Sequence, residues 1–165
     1  MNAGFRIGSG FDRHRLVAGR PFLLGGVRVA AEFGPEGHSD GDVLLHALTD
    51  ALLGAVGLGD IGEWFSDRDP RWKDADSTRF VTVALEAVRE RGWQVGNVDA
   101  TIFLERPRLA PYKPQIRDRL AGLLRVDVEC VNLKAKTGEA VGAVGRGEAV
   151  DAHVAVLLVR DSAAA

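Results

Sequence analysis

Asp12, His14 and His46 are the residues whose types and spacing best suit chemistry. Asp12 and His14 stand two apart, just after an apolar-alternating stretch. In extended backbone, positions i and i+2 project from one face, so both side chains can converge on a single ion. His46 interrupts an otherwise apolar run, with Asp42 four residues before it and Asp50 four after. At helical spacing these three make one polar stripe, and a carboxylate beside a histidine fixes the tautomer that a metal-ligating ring needs. Two imidazoles and one carboxylate, with a fourth position open, describe a catalytic zinc site rather than a closed structural one. Each signal alone has a blander reading: a lone histidine in an apolar helix is more often packed or capping, and D-x-H is common by chance. Together with His38-Ser39-Asp40-Gly41-Asp42 nearby, the zinc reading prevails.

The elements that must position these residues follow from periodicity. Phe5–Phe11 alternates as a strand, and Pro21–Val29 reads as a hairpin around Gly25-Gly26. Asp42–Val56 has helical apolar spacing, with Asp40 or Asp42 at its start and Gly57 at its end. Residues 60–76 read as a loop punctuated by Gly62 and Pro70. A second helix covers Ser77–Arg91, a strand Val95–Leu104, a third helix Pro114–Leu124, and further strands Val131–Lys136 and Ala149–Val159. The β-β-α-α-β-α-β order predicts an α+β (mixed α/β) fold, one sheet with helices packed on one side.

The 165 residues are one domain's worth, so 1–165 is read as a single domain. A composition of 46% hydrophobic and 27% charged residues excludes intrinsic disorder. Twenty-one basic against 23 acidic residues give a net charge of −2, a poor match for nucleic acid or an anionic membrane surface. The single cysteine, Cys130, makes no internal disulfide and suits a reducing cytoplasm. No apolar run approaches the ~18–20 residues of a membrane span, and Met1–Arg6 lacks the basic-then-apolar order of a signal peptide. Acidic groups concentrate between residues 36 and 76, where eight aspartates and two glutamates face only Arg68, Arg71 and Lys73. Short carboxylates in glycine-rich loops suit metals, hydroxyl recognition and turn capping, and capping is expected to account for about half of them.

Several stretches carry a resemblance. Gly10-Phe11-Asp12-Arg13-His14, Gly25-Gly26-Val27, the run from His38 to Val43, Leu45-His46-Ala47-Leu48-Thr49-Asp50-Ala51, Gly59-Asp60-Ile61-Gly62, Asp67-Arg68-Asp69-Pro70, Gly96-Asn97-Val98-Asp99 and Gly145-Arg146-Gly147-Glu148 resemble the 2-C-methyl-D-erythritol 2,4-cyclodiphosphate synthase family. The likeness runs in order from about Arg6 to Val159, and the H-S-D-G-D-V-x-x-H-A-x-x-D-A pattern is its most specific part.

The resemblance implies a lyase of non-mevalonate isoprene biosynthesis that converts 4-diphosphocytidyl-2-C-methyl-D-erythritol 2-phosphate to the 2,4-cyclodiphosphate and CMP. It implies a cytoplasmic homotrimer whose sheets meet around the trimer axis, with active sites between subunits. Asp12, His14 and His46 would hold zinc (or another divalent transition metal), and Glu139 magnesium or manganese. Asp60, Ile61 and Gly62 would hold the methylerythritol hydroxyls, with Phe65, Asp67 and Asp69 along the same pocket. His38 and Ser39 would face the phosphates. Leu104, Pro107, Arg108, Leu109, Ala110, Lys136, Thr137 and Gly138 would serve the cytidine diphosphate end, His38 and Thr137 steadying the transition state, and Arg146 would also bind substrate. This chain departs from the usual pattern at Lys136 and Gly138, where the family often has threonines, at Ala143, where an aromatic is common, and at Ser66 for a proline. Two other readings use the same ligands: a zinc-dependent phosphoesterase, and a non-catalytic zinc-stabilised binding protein, which Lys136 and Ala143 would support.

The remaining notable residues have plainer roles. Trp64, Trp72 and Trp93 read as loop anchors and core, Cys130 as a buried strand-end residue, and His153 as structural. Arg106, Arg108, Lys113, Arg117 and Arg119 read as a solvated helix face or a subunit salt-bridge seam.

Overall fold

In the computed structural model, which describes residues 4–160, the first strand outruns its apolar alternation. β1 spans Phe5–Ala18, so Asp12 and His14 lie within the strand rather than after it. Its backbone pairs continuously with the last strand, β7 (Ala149–Arg160), from Phe5 opposite Val159 to Arg15 opposite Ala149. Hydrogen bonding extends the strand where side-chain polarity suggested a loop. The predicted hairpin is present as β2 (Phe22–Leu24) and β3 (Val27–Val29). Gly25 and Gly26 both adopt positive φ, 60° and 74°, as a tight two-residue hairpin turn requires.

β4 (Phe33–Pro35) escaped the sequence reading because three residues show no periodicity. Then come α1 (Val43–Ala55), α2 (Ile61–Trp64), a 3₁₀ turn at Pro70–Trp72, α3 (Thr78–Glu90) and β5 (Trp93–Phe103). α4 (Lys113–Leu124), a 3₁₀ turn at Val128–Cys130, β6 (Val131–Lys136) and α5 (Gly142–Gly145) lead to β7. The expected loop at 60–76 therefore contains two short helical turns, each begun by a capping aspartate, Asp60 and Asp69. Cys130 is only partly buried and closes the turn before β6. The terminal Met1–Ala3 and Ala163–Ala165 lie outside the described residues.

The sheet order is β4-β1-β7-β5-β6, with β5 and β6 parallel across the α4 crossover and the other pairs antiparallel. This is the expected α+β arrangement, helices against one face. The opposite face carries Phe5, Ile7 and Phe11, all exposed, and His153, whose ring leans on Phe11 and Phe103.

α1 is apolar on nearly every side and buried accordingly. Leu44, Leu45, Leu48, Leu52 and Leu53 are fully buried, each contributing ~1.5–3 kcal/mol. It lies against β1 at backbone distance: a Cβ on Gly8 would sit 1.8 Å from the Ala51 carbonyl oxygen, and one on Gly10 1.9 Å from that of Ala47. Packing, independent of any ion, sets where His46 stands.

Asp42 fixes the other end of this helix. Wholly buried, it accepts from Leu45 N (3.1 Å) as N-cap and from Gly25 N (2.9 Å) and Gly26 N (2.7 Å) in the hairpin turn. Burial pushes its carboxyl above the usual range, against the pull of these three N–H groups. Asp42→Ala leaves all three donors unpaired and is expected to destabilise the fold by about 3 kcal/mol or more in urea denaturation. A loss below ~1 kcal/mol would show that the clamp is dispensable.

Candidate active site

Even-numbered residues of β1 face α1, so Asp12 and His14 continue the row begun by Gly8 and Gly10. Where that row ends in side chains rather than glycines, His46 reaches down from the helix. His14 Nε2 lies 2.9 Å and His46 Nδ1 3.0 Å from Asp12 Oδ2, and the two ring nitrogens are 3.1 Å apart. Zinc with bonds of ~2.0–2.1 Å at tetrahedral angles holds its ligand atoms about 3.3–3.4 Å apart, so this triangle is one face of such a site, slightly contracted. Among the described residues no further His, Cys, Asp or Glu joins the group.

The chemistry of the donors fits a cation as well as their spacing does. His14 Nδ1 faces the Glu36 carbonyl, which only accepts, so the neutral ring carries its hydrogen there and turns a lone pair inward. Burial works against charge on Asp12, but hydrogen bonds and attraction from His14 and His46 outweigh it and hold the carboxyl well below its usual range. Burial likewise depresses His14, yet Asp12 and the Glu36 carbonyl raise it overall.

The Asp-His-Asp stripe does not form as expected. Asp42 is taken by the cap and the hairpin turn, and Asp50 accepts from Ile61 N at 2.7 Å. Burial raises the Asp50 carboxyl above its usual range, helped by Asp60 and Asp12 nearby, although the Ile61 N–H and His46 lower it. The outer nitrogen of His46 instead meets two hydroxyls, Ser77 Oγ at 2.9 Å and Ser39 Oγ at 3.0 Å. A long-range partner won over a helical neighbour.

His14 and His46 open into a cavity of about 430 Å³ that His38, Ser39, Ile61, Gly62, Phe65 and Asp67 also line. Trp72 and Phe80 complete its wall; the sequence read Trp72 as a loop anchor or core residue and marked neither as part of a site. Phe65, Trp72 and Phe80 pack as one aromatic cluster with ring centroids 4.6–5.7 Å apart. Asp60 and Asp69 stand outside this lining: Asp60 caps α2 through Glu63 N, and Asp69 pairs with Arg71.

The profile of the YgbB family matches residues 5–159. The chain belongs to the YgbB family. A 2-C-methyl-D-erythritol 2,4-cyclodiphosphate synthase of Xanthomonas oryzae is 52% identical over 99% of this chain and 100% of its own length. A CDP-bound structure of a synthase of that name superposes with a TM-score of 0.87 at 42% identity, covering 93% of this chain and 99% of that one. The bifunctional IspDF of Campylobacter jejuni matches with a TM-score of 0.91 at 40% identity over 94% of this chain, which spans 42% of that longer protein.

In this YgbB chain a second cleft, about 140 Å³, is lined by Leu104, Glu105, Pro107, Arg108, Leu109, Ala110, Ala135, Lys136 and Thr137. It shares no residue with the first, and the sequence singled out neither Glu105 nor Ala135 in its lining. Arg108, exposed and ahead of α4 rather than on it, lines this cleft, while Arg117 donates to the Val131 and Val128 carbonyls. Thr137 Oγ1 of this lining donates to Glu139 Oε1 at 3.1 Å, and Glu139 and Ala140 adopt left-handed backbone (φ 51° and 59°). Non-glycine residues hold that conformation at a cost of about 1 kcal/mol each, which concentrates strain where Glu139 is presented. Gly138 N donates to Glu105 Oε2, and a Cβ at 138 would lie 2.4 Å from Gly145 N, so this turn has no room for the usual threonine. Arg146 stands apart from both clefts, paired with Glu148.

Proposed function

We propose that this YgbB chain converts 4-diphosphocytidyl-2-C-methyl-D-erythritol 2-phosphate to 2-C-methyl-D-erythritol 2,4-cyclodiphosphate, releasing CMP as a phosphorus-oxygen lyase of isoprenoid precursor synthesis. The observation that carries this reading is the set of three converging acceptors, Asp12, His14 and His46, of which the two histidines line a cavity flanked by His38 and Ser39. Full-length identity of 52% to a synthase of that name supports it.

An oxygen of the 2-phosphate forms the new bond to the β-phosphorus while the bond from that phosphorus to the CMP oxygen breaks. The attacking oxygen is already anionic at neutral pH, so no strong base is needed; the difficulty is crowding anions together. Asp12, His14 and His46 would hold zinc or another divalent transition metal, and Glu139 magnesium or manganese. When bound, such ions neutralise phosphate charge and polarise the attacked phosphoryl group. His38 and Ser39 stand where they can donate to phosphate oxygens. Arg108, Lys136 and Thr137 offer positive charge and a hydroxyl to the diphosphate from the second cleft. The Phe65, Trp72 and Phe80 wall excludes water from the folded substrate. Alignment of an intramolecular attack is worth up to roughly 7–11 kcal/mol, so holding the chain bent is most of the task.

Because the two clefts share no residue, the reading joins the cavity of one chain to the second cleft of a neighbour in a cytoplasmic homotrimer. The exposed row Phe5, Ile7 and Phe11 is the face such neighbours would cover. Sedimentation should report three chains; a monomer that turns over substrate would end this part of the proposal.

Incubation with substrate and magnesium is expected to yield CMP and the cyclic diphosphate in equal amounts. Linear hydrolysis products would favour the phosphoesterase reading, and zinc binding without turnover the binding-protein reading. Asp60→Ala should raise KM about tenfold, by loosening the α2 turn that brings Ile61 and Gly62 to the cavity, with zinc content unchanged. Loss of zinc in that variant would show that the Asp60 cap supports the metal site rather than the substrate pocket.

A further inference from the structure

A metal-ligating imidazole that binds through Nδ1 carries its hydrogen on Nε2, and that hydrogen needs an acceptor. Around His46 Nε2 the two hydroxyls are not equivalent. Ser77 donates its own hydrogen to Asp40 Oδ1 at 2.5 Å, and the other oxygen of Asp40 accepts from Ser77 N at 3.0 Å. With its hydrogen committed, Ser77 can only accept from His46, at 2.9 Å. Ser39 Oγ has no carboxylate partner and is free to donate or accept.

Ser77 also forgoes the usual work of its position. It is the N-cap of α3, where a serine oxygen ordinarily accepts from the first turn, yet it makes no capping bond. The hydroxyl is spent on Asp40 and His46 instead. Ser77 and His46 are buried, so the bond between them is shielded from water, while Asp40 at the far end is partly exposed.

We propose that Asp40 and Ser77 are positioning residues of the metal site: the Asp40 carboxylate sets Ser77 as an acceptor, and Ser77 holds His46 with Nε2 protonated and Nδ1 turned to the ion. The Asp40 charge, passed through one hydroxyl, makes the ring a better ligand. The inference rests on the assignment of Asp12, His14 and His46 to a metal and is independent of the substrate.

The test is zinc affinity of the purified full chain, measured by chelator competition without substrate. Ser77→Ala and Asp40→Asn are each expected to weaken zinc about 10- to 100-fold, and Ser39→Ala by much less. Because Asp40 acts through Ser77, Asp40→Asn should cost little more once Ser77 is alanine. Zinc-loaded wild type should show a slowly exchanging His46 Nε2–H proton that exchanges faster in Asp40→Asn. Circular dichroism checks that each variant is folded, and Ser77→Ala, which removes no cap bond, is the variant least exposed to that failure. Wild-type affinity in Ser77→Ala, an equal loss in Ser39→Ala, or additive losses in the double variant would overturn the relay. Failure of wild type to bind zinc would instead sink the metal assignment, and zinc binding without turnover only the proposed reaction.

Discussion

His46→Ala is expected to lose zinc and turnover together, with kcat/KM falling at least ~10³-fold, since metal ions of this kind supply several kcal/mol of charge stabilisation. The fold should survive. α1 is held by five buried leucines and by the Asp42 clamp, so a small cavity at position 46 costs only the local contacts. Asp12 and His14 remain, but two ligands from one strand present only one edge of the site. Metal analysis after dialysis and a CMP-release assay measure the two losses separately. Turnover persisting in metal-free buffer would end the mechanism; zinc retained at full occupancy would mean that His46 is not a ligand.

Gly10→Ala is expected to be as damaging, although position 10 touches neither ion nor substrate. Its new Cβ would stand 1.9 Å from the Ala47 carbonyl oxygen and 2.9 Å from Ala51 N. Both are helix backbone, which cannot swing aside as a side chain can, so α1 must retreat from β1 by roughly 1.5 Å to restore ordinary contact. The donor triangle has edges of only 2.9–3.1 Å, and a shift of that size takes His46 out of reach of Asp12 and His14. Stability should drop by about 3 kcal/mol, the upper part of the overpacking range, and zinc affinity by about 100-fold or more. Gly54→Ala on the same helix meets nothing within 4 Å and should stabilise by ~0.5–1 kcal/mol. A Gly10→Ala chain that binds zinc as wild type does would show that the seam tolerates displacement.

These two positions also mark what local pattern can reveal. His46 was legible because a titratable group broke an apolar helical period, whereas Gly8 and Gly10 fall inside the expected Phe5–Phe11 strand with nothing in the pattern to show what they approach. The strand beyond Phe11 was not, because Asp12, Arg13, His14 and Arg15 are polar on both faces while pairing with β7 maintains the extended backbone. Helical spacing set Asp42 and Asp50 on the same stripe as His46, but backbone N–H groups claimed both carboxylates. The true partners, Ser77 and Ser39, reach His46 through the meeting of α3 with the loop before α1, a contact that no spacing rule encodes. The loop aspartates fared better: Asp42, Asp60 and Asp69 each cap a helical turn, as short carboxylates in such loops tend to do.

The absence of any shared lining residue between the two clefts has a genetic consequence. Lesions in the Asp12–His46 half and lesions in the Arg108–Thr137 half damage different centres. If neighbouring chains complete each other's sites, two individually dead alleles mixed in one cell would rebuild some intact junctions and restore partial growth.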